Sequence, residues 1–188
     1  MRGTLRNIGL RLYRIPFPVR IRTHPFDLKY GVDTSGLLDS SKLPSGHAND
    51  LHSTAYWGTS PSLFQGALNQ WQQTLAGTPW TVEDYAFLDI GCGKGRVVML
   101  ATNTPFRSIT GVELSPELTS IAHANLALWN KTPHSCTDVT VLNADALTLP
   151  FPDAPALIYL FNPFDQNVMQ PLLERLAALS QALSLIHI

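Results

Sequence analysis

A chain of 188 residues with 45% hydrophobic and 14% charged residues is long enough for one domain with a real core, or one domain plus an accessory arm, and too apolar for a disordered segment. No apolar run nears the roughly 20 residues of a membrane span, and the two cysteines, Cys92 and Cys136, form no disulfide or zinc pattern, which fits a reducing cytoplasm. The net charge of −1 hides an asymmetry: Arg2, Arg6, Arg11, Arg14, Arg20 and Arg22 precede the first acid, Asp27, and from Asp27 onward seven bases face fourteen acids, so the body is acidic and poorly suited to grip nucleic acid by charge alone.

Residues 4–15 place Leu5, Ile8, Leu12 and Ile15 on one helical stripe with arginines mostly opposite. Three readings are open for this basic helix: docking on the domain, contact with a membrane surface or nucleic acid, or targeting, with no long apolar stretch to suggest secretion. Pro16, Pro18, Pro25, Gly31, Gly36, Pro44 and Gly46 punctuate residues 16–49, which read as an irregular covering segment. His47 and His52 lack a second ligand pair at matching spacing, so no metal site is expected. Tyr56, beside Trp57 and near Thr59 and Ser60, either packs or lines a pocket; Tyr56 and Ser60 are the candidates for a substrate gate. Ser60-Pro61 starts a helix over residues 62–75, with Leu63, Ala67, Leu68, Trp71 and Leu75 at helical spacing. The expected organisation is a basic helix, cover and helix over 1–79, then a nucleotide-binding α/β unit over 80–188.

Residues 85–101, YAFLDIGCGKGRVVMLA, read as a strand, a tight turn with Gly91, Gly93 and Gly95, and a helix over 94–103. Glycines there permit left-handed backbone and let a ligand approach the main chain, while the helix start offers unpaired N–H groups. A second strand over 108–112 ends at Glu113, and Ser115-Pro116-Glu117 opens the next helix, to about Trp129. A third strand over 138–142 leads to Asn143-Ala144-Asp145, a fourth over 156–161 to Asn162-Pro163-Phe164, and a helix over 166–183 comes last. This alternation implies a parallel sheet with its ligand at the carboxyl ends of the strands, where each of these polar residues sits.

Glu113, 24 residues after Asp89, suits the hydroxyls of a ribose. Asp89 separates two cofactor classes. A dinucleotide would set its pyrophosphate against this carboxylate, whereas a cofactor with an amino-acid end presents an ammonium that carboxylates attract. The acids favour S-adenosylmethionine.

FLDIGCGKGRV, GVELSPEL, NADAL and YLFNPF, spanning residues 85 to about 165, resemble the motif series of class I S-adenosylmethionine-dependent methyltransferases. The resemblance implies a Rossmann-like three-layer α/β/α sandwich. It places Asp89, Gly91 and Gly93 at the methionine moiety, Glu113 at the ribose, and Asp145 with Ala144 at the adenine. Cys92, Gly95 and Leu114 are neighbouring cofactor-binding positions, with Lys94 and Gly95 completing the turn. Asn162-Pro163-Phe164 is similar to the loop after strand four in amino-group methyltransferases, with one proline and a phenylalanine where those often carry Asn-Pro-Pro-Tyr; it makes Asn162, Pro163 and Phe164 the catalytic candidates. The turn, Glu113 and LFNPF also resemble the lysine methyltransferases that lack a SET domain, which implies a protein lysine or another amine as acceptor.

Nucleic-acid and small-molecule acceptors remain alternatives, as do a nicotinamide-dependent oxidoreductase and a fold retained without turnover. Class I folds usually have about seven strands. Here Leu185-Ile186-His187-Ile188 is at most the beginning of a fifth, and the expectation is a sheet incomplete at its C-terminus.

Overall fold

The structure is a computed structural model that describes residues 23–180 and 186–187. The arginine stripe of residues 4–15 lies outside the described residues. Nearest the N-terminus among the described residues is α1 (Pro25–Tyr30), whose Phe26 amide donates to the His24 side chain and whose end turns at Gly31. Next come β1 (Leu37–Leu38) and β2 (Tyr56–Trp57), an antiparallel pair of two residues each. The segment expected to be irregular thus carries a helix of six residues and a short ladder, both too brief to leave a period in the sequence. α2 (Pro61–Thr74) then begins at Ser60, whose hydroxyl accepts from the Leu63 amide.

The centre is a parallel sheet of β3 (Ala86–Ile90), β4 (Ser108–Glu113), β5 (Val139–Asn143), β6 (Ala156–Leu160) and β7 (Ile186–His187), in the order β5-β4-β3-β6-β7. All five residues of β3 are buried, as a central strand covered on both faces requires. α3 (Arg96–Ala101), α4 (Pro116–Trp129) and α5 (Gln166–Ser180) connect the strands.

Side chains alternate across the sheet into two cores. On one face Phe87, Ile109, Val141 and Leu157 pack with Phe64, Leu68 and Trp71 of α2, Val97 and Val98 of α3, and Ala122 and Leu126 of α4. Phe26 of α1 belongs to the same core and stacks on Trp129 at 5.6 Å. On the other face Leu88, Ile90, Val112 and Ile158 pack with Leu172 and Leu176 of α5. Each of these large side chains stabilises the fold by roughly 1.5–3 kcal/mol. The result is a three-layer α/β/α sandwich of Rossmann-like order, with β3 at its middle.

Candidate functional site

β4 and β5 extend the sheet to one side of β3, and β6 and β7 to the other. The crevice between the carboxyl ends of β3 and β6 is therefore the place where such a sheet takes a ligand. A cavity lies there, its empty space about 1180 Å³ with the open solvent at its mouth counted in. Asp89, Gly91, Cys92 and Gly93 form one wall; Glu113 and Leu114 with Ala144 and Asp145 form another. Asn162, Pro163 and Phe164 stand at a third, and residues 53–59 cross over the top.

Gly91 and Gly93 line the cavity, and their missing side chains also serve contacts within the protein. Gly91 and Gly93 hold φ of 77° and 55°, which side chains rarely adopt. A β-carbon on Gly91 would sit 2.3 Å from Pro163 Cβ, and one on Gly93 2.3 Å from the Tyr56 ring. The missing side chains thus let the Pro163 loop and the cover close onto the turn. The Gly91 and Cys92 amides donate to Val112 O at 2.8 and 3.0 Å, and the Gly93 amide to Glu113 Oε2 at 2.9 Å. With these donors engaged and two carboxylates adjacent, the turn is a poor cradle for a pyrophosphate. Gly95 was expected at the cofactor but does not line the cavity. It faces α4, where an added β-carbon would lie 3.1 Å from Ala122 Cβ, so it serves the close packing of α3 on α4.

Asp89 is 3% exposed. It lines the cavity, and its carboxylate makes no hydrogen bond to any described residue. Burial first, then the neighbouring Glu113 charge, push its pKa up to about 8. Glu113 is raised by burial, although its carboxylate accepts from the amides of Gly93 and Ser115, both at 2.9 Å. Burial, with Asp89 and Glu113 beside it, also holds the Cys92 thiol protonated. At the far end Asp145 accepts from the Leu147 amide at 3.1 Å and from Asn49 Nδ2 at 3.2 Å, with His47 Nε2 at 3.9 Å. Among the described residues no group of three His, Cys, Asp or Glu side chains could hold a metal ion.

The lining carries four acids, Asp50, Asp89, Glu113 and Asp145, and, among the described residues, one base, Arg96. Arg96 is itself consumed in holding the cover. From α3 it donates to Thr34 Oγ1 at 2.6 Å, Thr34 O at 2.8 Å, and Gly58 O and Thr59 O at 3.0 Å, and it lies 3.8 Å from Asp27. Lys94 points away to Asp33 Oδ1 at 2.8 Å and Ser35 O at 2.9 Å. Tyr56 does line the cavity, donating its hydroxyl to Thr34 O at 2.7 Å. Ser60 does not: its hydroxyl is spent capping α2, so of the two residues expected at a substrate gate only Tyr56 lines the cavity.

The 161–165 loop meets the cover directly. Asn162, with φ of 49°, is the one residue other than glycine at positive φ among the described residues. Its carbonyl accepts from the Thr54 hydroxyl, and Pro163 O accepts from the Thr54 amide at 3.2 Å. Ser53 bridges Phe164, the Asp165 amide donates to His52 O at 2.9 Å, and His52 Nδ1 lies 3.0 Å from Asp165 Oδ2. The His52–Asp165 pair is outside the cavity lining, so it fastens the loop and is not placed as a base. The Asn162 side chain remains exposed and without a hydrogen bond to any described residue, beside Phe161 and Trp57 on the same lining. The Asn162 and Pro163 carbonyls are both already engaged by Thr54.

Residues 87–183, just over half of the chain, match the profile of a family described as methyltransferase domain. The chain belongs to that family, whose class I members use S-adenosylmethionine. No curated protein matches the chain. Among solved structures it is similar to an RNA methyltransferase from Salinibacter ruber in complex with S-adenosyl-L-homocysteine, with 20% identity and a TM-score of 0.47, covering 69% of this chain and 75% of that one. It is also similar to YcgJ from Bacillus subtilis (21% identity, TM-score 0.37, 50% of this chain and 37% of that one). A dimethyladenosine transferase from Plasmodium falciparum is matched at 15% identity and a TM-score of 0.44, over 64% of this chain and 38% of that one. The chain thus spans under two fifths of the length of these last two.

Proposed function

We propose that this chain binds S-adenosylmethionine in the cavity and transfers its methyl group to an amino nitrogen. The observation that carries the cofactor is Asp89, a nearly buried carboxylate with no hydrogen-bonding partner among the described residues, at the wall of the cavity at the carboxyl ends of the strands. An ammonium placed beside it would supply the missing partner and keep it ionised. Glu113 retains lone pairs for ribose hydroxyls, and Asp145 stands where an adenine amino group would be held. When bound, the cofactor supplies an electrophilic methyl carbon on a sulfonium.

The amine reading rests on the charge of the cavity. Among the described residues four lining acids and a single base, spent on the cover, favour a cationic or neutral acceptor over a phosphate backbone. The Asn162 amide oxygen accepts a hydrogen bond from the acceptor N–H, which turns the nitrogen lone pair toward the methyl carbon. An ammonium acceptor would first give up one proton to solvent to free its lone pair; the nitrogen–carbon bond would then form as the carbon–sulfur bond breaks, and the proton left on the methylated nitrogen would pass to solvent.

Calorimetric titration with S-adenosylhomocysteine tests the first part: saturable binding is expected, and no binding at millimolar ligand contradicts it. Methyl-labelled cofactor given to separated protein, RNA and small-molecule fractions of a lysate tests the second. Label on protein amines is expected, and label confined to RNA contradicts the amine reading.

A further inference from the structure

The backbone at Asn162 is doubly disfavoured. A residue with a β-carbon avoids positive φ, and a residue before proline is pushed toward extended conformations; Asn162 has φ of 49° and precedes Pro163. Such a conformation persists only where its surroundings over-determine it. The surroundings here come from 108 residues earlier in the chain. Thr54 grips the loop twice, hydroxyl to Asn162 O and amide to Pro163 O, and the flanking pairs Ser53 with Phe164 and His52 with Asp165 continue the contact as a short antiparallel seam.

We infer that Thr54 is a positioning residue for methyl transfer: its hydroxyl holds the Asn162 main chain in the left-handed region and so leaves the Asn162 amide free to meet the acceptor. This rests on the proposed role of Asn162 toward the acceptor amine. Thr54 also lines the cavity, but both of its polar groups face the loop. With Oγ1 removed, the Asn162 carbonyl loses its donor, and the residue before Pro163 is free to relax to an extended conformation. The Asn162 side chain would then swing away from the cavity mouth while the Asp89 end stays as it is.

The same segment reaches the other end of the site. Asn49 Nδ2 donates to Asp145 at 3.2 Å, five residues before Thr54. One strap therefore touches both Asp145 and Asn162, which explains why a loop without periodicity lies across the opening.

The test compares Thr54→Val, which keeps the size and the amide bond but removes the hydroxyl, with Thr54→Ser, which restores it. With asparagine labelled with nitrogen-15, the intraresidue amide-to-Hα contact of Asn162 reports positive φ without any acceptor. It is expected to be strong in wild type and Thr54→Ser and at least twofold weaker in Thr54→Val. Methyl transfer to poly-L-lysine is expected to fall at least tenfold in kcat for Thr54→Val, with recovery in Thr54→Ser and S-adenosylhomocysteine affinity unchanged within twofold. A Thr54→Val protein whose Asn162 keeps the wild-type contact overturns the inference. Failure of wild type to bind S-adenosylhomocysteine, or to methylate poly-L-lysine, contradicts the proposed cofactor or acceptor and leaves the conformational comparison to decide on Thr54.

Discussion

Asp89→Asn removes a charge while keeping the size of a side chain buried in the wall of the cavity. A hydrogen bond to a charged group contributes about 1.5–3 kcal/mol, so the variant should bind S-adenosylhomocysteine about 10- to 150-fold more weakly above pH 8. Because burial and Glu113 raise Asp89 to about 8, most of it is protonated at pH 7 before binding. An arriving ammonium stabilises the ionised form, so close to one proton is released at pH 7, and wild-type affinity should climb about ninefold from pH 6 to 7, about fivefold from pH 7 to 8, and level above that. Titration calorimetry in buffers of different ionisation enthalpy measures both quantities. The variant should release no proton and lose the pH dependence. Affinity within threefold of wild type, with proton release intact, would refute the role given to Asp89.

The same group sets a slope in stability. Its folded pKa of about 8 lies above the ordinary 3.8, so between those values the unfolded chain binds fewer protons, and stability falls as pH rises, by up to about 1.4 kcal/mol per unit. Urea titrations of the ligand-free protein should show this decline, and Asp89→Asn should flatten it and be the more stable protein at pH 8. Asn162→Ala should bind S-adenosylhomocysteine as wild type does but lose at least tenfold in methyl transfer, read with labelled cofactor; transfer at the wild-type rate would make Asn162 a turn residue only. Arg96→Met strips the cover of four hydrogen bonds and leaves buried Asp27 without its cation. Denaturant unfolding should show a loss of about 3–5 kcal/mol, with faster proteolysis within residues 33–59. Gly93→Ala combines a φ of 55° with a 2.3 Å clash against Tyr56; a melting temperature lower by several degrees is expected, and an unchanged one would show that the cover is not seated on the turn.

Much of this arrangement was legible because the chemistry sits where the pattern is strongest. The apolar runs ending in Asp89, Glu113, Asp145 and Asn162 define parallel strands, and parallel strands deliver their last residues to one edge, so these four share one cavity. Tyr56 could be suspected from its company of polar and aromatic neighbours. What escaped reading depends on contacts distant in sequence. Arg96 looks like an ordinary helix residue until the cover is seen threaded past its guanidinium. Thr54 and Asn162 are 108 residues apart, in segments without a period. Gly95 carries the residue type of a ligand site yet packs two helices, whereas Ser60, read both as a gate candidate and as a helix start, caps α2 and does not line the cavity. α1 is only six residues long and comes after a proline-broken stretch, and its place is set by Phe26 and Tyr30 against Trp129.

A crystal structure of the chain with S-adenosylhomocysteine tests the central claim most directly. The amino group of the ligand should lie within hydrogen-bonding distance of Asp89, the ribose hydroxyls at Glu113 and the adenine beside Asp145, with the sulfur facing Asn162. A ligand bound elsewhere, or one in this cavity whose amino-acid end avoids Asp89, would contradict the account.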